Sequence, residues 1–266
     1  RPRKPIEVNF ESDYCAMKNE EFAWFGHSSV LFKVADKFIF VDPIMFDASP
    51  LTKHFKYSQS LDFNLVPVID YLLITHNHAD HLCIKTLKHL KIRKIVCPLG
   101  VSKHLIQLER PVIELDWFQS LKENGLDIVL LPSQHFSQRS LLDRDQTLWG
   151  GFGINNIYMS GDGGFNEQLV QKIKEVRQFE YLFIECGQYS PSWAKMHMFP
   201  HEAIQASSIL GGHQLFPMHF GKFILSNHDW NAPALCLNEF QTDLGFIGQI
   251  GKVYKLVECD QKSTSP

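Results

Sequence analysis

The chain has 266 residues, 44% hydrophobic and 21% charged, with a net charge of −3 and a pI near 6.5, the balance of an ordinary globular protein. That charge supplies no basic field to recruit nucleic acid, and no apolar run approaches the roughly 20 residues that cross a bilayer. No linker or low-complexity segment divides the chain, so residues 1–266 read as a single large domain.

Six cysteines (Cys15, Cys83, Cys97, Cys186, Cys236 and Cys259) are scattered without a Cys-x-x-Cys pair, so free thiols in a reducing, cytoplasmic setting are expected. The first residues contain no signal peptide, but the chain begins at Arg1 rather than Met, consistent with a segment removed ahead of it. The arm Arg1-Pro2-Arg3-Lys4-Pro5 is basic and Pro-broken, hence extended.

Strands are expected at 22–25, 29–34 and 37–42, the first two flanking Gly26-His27. Residues 43–69 then form a long aperiodic connection carrying Phe46, Phe55, Phe63, Lys53 and Lys56. A loop of that length in a compact domain is usually functional, and this one reads as a wall of the site. The run Tyr71-Leu72-Leu73-Ile74 is a buried strand. Helices follow at 84–91 and 101–108, with strands at 94–97, 112–115 and 126–131. The second half repeats the alternation: strands at 147–154 and 156–160, a helix near 165–177, a strand at 181–185, a helix at 201–209, a strand at 214–218, and closing strands near 246–257. Such alternation indicates an α/β fold.

The chemistry is concentrated after the strand 71–74, in Thr75-His76-Asn77-His78-Ala79-Asp80-His81. His76 and His78, two apart on an extended strand end, point the same way. Asp80 and His81 lie beyond the turn and can face a second ion. Imidazole and carboxylate at this density suit hard-to-borderline divalent metals. His135, Asp162 and His219 each stand just after an apolar strand, where α/β sheets collect their functional groups.

This seven-residue stretch resembles the signature of the metallo-β-lactamase superfamily. The resemblance implies a four-layer αβ/βα sandwich, two mixed sheets flanked by helices, with a metal site at one edge. It further implies two divalent ions, with His76, His78 and His135 on the first, Asp80, His81 and His219 on the second, and Asp162 bridging. Zinc is the expected metal, and manganese, iron or nickel suit the same donors. Two such ions, two aspartates and a hydroxide sum to roughly +1, which favours an anionic or carbonyl substrate.

Further blocks narrow the resemblance: Asp42-Pro43-Ile44, the stretch from Pro67 to Leu82, Gln138-Arg139-Ser140 with Asp143-Arg144, Thr147 to Phe152, Tyr189 to Trp193, Met196 to Ala203, and His219 to Phe223. Together they closely resemble N-acylphosphatidylethanolamine-hydrolysing phospholipase D and its bacterial relatives, from about residue 22 to about residue 235. The resemblance implies a phosphodiesterase acting on a lipid or small molecule, with peripheral membrane contact. It places His197 at the active site, beside Asp80 and Asp162 as catalytic residues. Where that family carries Gly-Asp-Thr-Gly-Tyr, this chain has Gly161-Asp162-Gly163-Gly164-Phe165, and the animal enzyme's apolar N-terminal region has no counterpart.

The other histidines read differently. His54, His89, His104 and His213 are solvated or structural, and His27 is a supporting or packing group. Arg139 and Arg144 are too close in sequence to both point inward, so one either meets a phosphate or makes a structural ion pair. The alternative function is hydrolysis of a lactone or carbonyl ester, as in the ascorbate-6-phosphate lactonase branch, which shares the Trp24 to Ser28 block. A nuclease lacks the charge, a di-iron redox protein carries glutamate where His78 stands, and a non-catalytic binder need not keep all seven donors.

Overall fold

A computed structural model describes residues 2–239 and 248–256. Two mixed sheets pack face to face. The first holds seven strands in the order β13-β1-β2-β3-β4-β5-β6: Val253–Lys255 (β13), Glu21–Trp24 (β1), Val30–Val34 (β2), Lys37–Val41 (β3), Ile69–Leu73 (β4), Ile92–Pro98 (β5) and Val112–Leu115 (β6). The second holds six in the order β12-β11-β10-β9-β8-β7: Gln214–Met218 (β12), Tyr181–Glu185 (β11), Ile157–Met159 (β10), Gly151–Ile154 (β9), Leu126–Leu131 (β8) and Ser120–Glu123 (β7). In each sheet an antiparallel half joins a parallel half: β3 to β6 run parallel in one, β10 to β12 in the other. The repeated order expected of two similar halves is present.

Side chains alternate across a strand, and the sequence fills both faces. Ile39, Val41, Tyr71 and Leu73 meet Ile128, Leu130, Phe152 and Phe183 between the sheets. Phe38, Phe40, Leu72 and Ile74 face outward, under Leu87, Leu90, Val101 and Leu105. Val129, Leu131, Leu182 and Ile184 carry the outer helices of the second sheet. The expected four-layer sandwich is therefore the observed one.

The helices are fewer and shorter than the periodicity indicates. The stretch 84–91 forms one turn, Ile84–Leu87 (α1), and 101–108 forms two 3-10 turns rather than an α-helix. The second sheet has full helices. Glu167–Val176 (α2) opens on the Asn166 side chain, which accepts from Leu169 N at 3.1 Å. Pro200–Leu210 (α3) opens on Pro200, with Glu202 accepting from Phe199 N. Ala232–Glu239 (α4) is additional to the expected elements.

β7 is also additional; its hairpin turn Asn124-Gly125, both at positive φ, is a strong sequence signal. The strand expected at 147–154 begins only at Gly151, because Gly150 N is drawn to Thr75 O at the metal loop. Of the closing strands near 246–257 only Val253–Lys255 is seen; residues 240–247 and 257–266, which include Cys259, lie outside the described residues. The five described cysteines are free, as expected. No helix among the described residues is long and apolar enough to cross a membrane.

Candidate metal centre

Strand ends from both sheets converge on one edge. β4 runs into Thr75–His81, β8 into His135, β10 into Asp162, β11 ends at Glu185, and β12 runs into His219. The β1–β2 turn delivers His27, which trades backbone bonds with the β12 loop: His27 N donates to Phe220 O (2.7 Å) and His219 N to His27 O (3.0 Å). Both histidines sit at positive φ, His27 at 55° and His219 at 69°, a costly conformation for a residue with a Cβ. Gly161 (φ 62°) has no such freedom to change: a Cβ there would lie 2.5 Å from Gly150 O.

All seven residues expected as ligands are brought together. His76, His78, His135 and Asp162 form one group of donors, and Asp80, His81 and His219 with His27 form another. In the first, His76 Nε2 lies 2.9 Å and His135 Nε2 3.3 Å from His78 Nδ1, and both lie 3.8 Å from Asp162 Oδ2. In the second, His81 and His219 Nε2 are 3.4 Å apart, each 3.1 Å from Asp162 Oδ2 and 3.7–3.8 Å from Asp80 Oδ2. Donors bonded tetrahedrally to zinc at about 2.0–2.1 Å stand about 3.3 Å apart, and the observed edges bracket that value. These residues fit divalent ions.

The outward nitrogens fit as well. A metal-bound imidazole needs its other nitrogen held, and each Nε2 donor here has such a partner. His76 Nδ1 meets Thr75 Oγ1 (2.9 Å), His81 Nδ1 meets Asp42 Oδ2 (2.8 Å), and His135 Nδ1 meets Met196 O (3.1 Å). His219 Nδ1 lies 3.4 Å from both Glu185 Oε2 and Gly187 O. Asp42 also accepts from Thr75 N (2.8 Å) and Thr75 Oγ1 (2.5 Å), locking the start of the metal loop.

Burial, with the neighbouring His81 and His78, pushes His76 well below its usual pKa, as burial does His135; such imidazoles are neutral, the form that binds metal. Burial opposes protonation of His81 too, yet the Asp162 and Asp80 carboxylates outweigh it and hold His81 up at about 10. Likewise burial disfavours the Asp162 carboxylate, but His219 and His81 keep it well below the usual range. His81 and His219 thus face carboxylates that favour positive charge there, which a divalent cation would supply.

His197, expected at the site, is there. Its ring stacks on His219 (4.8 Å) and lies 5.3 Å from His135. Its Nδ1 is 3.3 Å from Glu185 Oε1, poorly aligned for a hydrogen bond. His27, expected as a supporting group, comes closer than that: its Nε2 is 2.9 Å from Asp80 Oδ2. Burial, with His219 second, pushes its pKa down to about 3, so it is neutral.

Among the described residues the Arg139 guanidinium is held by backbone carbonyls rather than by a carboxylate. Its Nη1 donates to Asn77 O (2.9 Å) and Leu82 O (3.0 Å), bracing the metal loop from behind. Arg144 caps the Phe136 ring at 4.5 Å and lies 3.7 Å from Asp145. His54 pairs with Asp47, and His89 packs on Phe46 and Phe63, as structural residues.

Asp42 and Glu185 were not among the expected site residues, although each ends a strand at the same edge. Glu185 is fully buried, accepts from Gly163 N (3.0 Å) and Met198 N (3.1 Å) through Oε1, and faces two histidines. The strand-end rule that singles out His135 and Asp162 applies to it equally.

Known proteins carry the same signature. A family profile described as Beta-lactamase superfamily domain matches residues 40–220. An uncharacterised protein of Mycobacterium tuberculosis is 31% identical over 88% of this chain and 68% of its own length. The mitochondrial N-acyl-phosphatidylethanolamine-hydrolyzing phospholipase D of Saccharomyces cerevisiae is 30% identical over 63% of this chain but only 40% of its own length. N-acyl-phosphatidylethanolamine-hydrolyzing phospholipase D 1 of Caenorhabditis elegans is 27% identical over 78% of this chain and 65% of its own. Among solved structures, the metallo hydrolase Igni18 of Ignicoccus hospitalis superposes with a TM-score of 0.70 at 21% identity, over 90% of this chain and 99% of that one. With its two-sheet sandwich and its His/Asp cluster, the chain belongs to the β-lactamase superfamily, among the metal-dependent hydrolases of the metallo-β-lactamase fold.

Proposed function

We propose that the protein hydrolyses a phosphodiester, with a phospholipid-like substrate, at a pair of divalent ions for which zinc suits the donors. The observation behind this is that Asp162 Oδ2, counted with the first donor group, also faces the second: it lies 3.8 Å from His76 and His135 and 3.1 Å from His81 and His219. A carboxylate so placed would be shared by ions held in the two groups. Such a pair supplies a nucleophile at neutral pH, lowering the pKa of water to about 7, and charge for both oxygens of an in-line displacement. The resemblance to phospholipase D enzymes of yeast and worm supports the phosphodiester class.

The chain's own groups divide the remaining work. Neutral His27 donates its Nε2 proton to Asp80 Oδ2 and fixes that carboxylate at the rim of the site. His197, 16% exposed and stacked between His135 and His219, would give a proton to the departing oxygen. The loop that follows His135 carries Leu141 and Leu142, 94% and 88% exposed, an apolar tip suited to shallow contact with a lipid surface.

Zinc-loaded protein should hydrolyse bis(p-nitrophenyl) phosphate or a phospholipid diester more efficiently than simple lactones at neutral pH. Lactones turned over at least about tenfold faster than every diester would instead establish the lactonase alternative.

A further inference from the structure

Lys222 is 1% exposed, yet among the described residues no carboxylate pairs with it. Its Nζ donates to Ile44 O, lies 3.9 Å from Met45 Sδ and sits 5.9 Å from the centre of the Tyr57 ring. An ammonium buried without a counter-charge is costly, and burial pushes its pKa down to about 7. Lys222 does not stand in a closed core. It lines a cavity of about 410 Å³ between the N-terminal arm and the loop after β3, with Phe10, Met45, Phe46, Phe63 and Lys56 among the other walls.

A second cavity of about 440 Å³ adjoins it, sharing Pro5, His54 and Lys56 and adding Arg3, Lys4 and Lys53. Neither cavity is lined by a single acidic residue, although the whole chain carries a net charge of −3. Asp47 offsets Lys53 and His54 from the rim; Lys222, Lys56, Arg3 and Lys4 are left in excess. The walls around Lys222 are aromatic and thioether, and the volume lies in the range of small-ligand sites. No residue of the metal cluster lines either cavity.

We propose that this groove is a second ligand site, for a single-chain anionic amphiphile whose head meets Lys222 and Lys56 and whose alkyl chain lies along Phe10, Met45, Phe46 and Phe63. The head supplies the negative charge that the buried ammonium lacks, and the chain covers the half-buried Phe10, Phe46 and Phe63. Carboxylate and phosphate monoester heads share this chemistry. The site stands independently of the reaction proposed for the metal centre.

Calorimetric titration of the zinc-loaded full chain with decanoate, decyl phosphate, decanol and acetate tests it. Decanoate or decyl phosphate should bind at least about tenfold more tightly than decanol, and acetate should bind weakly, since both charge and chain are needed. The comparison of the two anions identifies the preferred head. Lys222→Met, which keeps the volume and removes the charge, should lose about tenfold or more of that affinity while keeping its zinc content. Should that variant not fold, Lys56→Glu, an exposed change, should weaken the same binding by at least about threefold. Decanol binding as tightly as the anions, absence of binding in the parent protein, or undiminished binding in these variants overturns the site.

Discussion

Glu185→Gln separates a supporting carboxylate from a merely buried one. Both backbone donors to Glu185, Gly163 N and Met198 N, use Oε1, so the amide oxygen of glutamine can keep them and the fold should survive. The change falls on Oε2, 3.4 Å from His219 Nδ1. An amide nitrogen there donates, and where His219 Nδ1 accepts from it in place of donating to Gly187 O, the ring's proton moves to Nε2, the atom aimed at Asp162 and His81. A protonated Nε2 cannot bind a metal. Loss of such an outer partner typically costs about 10–100-fold in metal affinity, or roughly 1.4–2.7 kcal/mol. The assay is zinc content after dialysis against buffers of fixed free zinc. The variant should lose affinity in the group holding Asp80, His81 and His219 while keeping it in the group holding His76, His78 and His135. Two equivalents bound with the parent affinities would refute this role for Glu185.

Other consequences follow from the same geometry. His81→Ala and His219→Ala should each empty mainly one metal position, measured as a fall from about two equivalents of zinc towards one by elemental analysis; unchanged content in both would remove them as ligands. Lys222 is buried with a pKa lowered to about 7, so between there and the ordinary lysine value the unfolded chain binds the extra proton and stability rises with pH. The stability gained by Lys222→Met should therefore be larger at pH 6 than at pH 9 in parallel urea denaturations, and an equal gain at both would contradict the buried charge. Thiol titration of the denatured chain should find six free thiols, and a count of four or fewer would require disulfides that the five described cysteines do not form.

Much of this was legible in the chain because single strands announce themselves. Tyr71 to Ile74 is apolar throughout since β4 is covered on both faces, and the polar residues that break such runs, His76, His135, Asp162 and His219, mark the sheet edge. What escaped has physical reasons too. The turns at Ile84–Leu87 and Val101–His104 have helical spacing but are too short to propagate a helix once their apolar residues dock. Glu185 and Asp42 ended apolar strands as visibly as the ligands did, but a carboxylate that grips imidazoles from behind has no spacing motif of its own. Supporting and packing roles for His27 could not be told apart because its partner Asp80 is 53 positions away. Arg139 could not be assigned from sequence, since its two acceptors are backbone carbonyls of the metal loop.

Hydrolysis should need both donor groups filled around Asp162. The most direct measurement is a zinc titration of chelator-stripped protein, following bis(p-nitrophenyl) phosphate hydrolysis and bound zinc together. Activity should stay low through the first equivalent and rise with the second, reaching its plateau at about two zinc ions per chain. Full activity at one equivalent, or none at saturation, would contradict it.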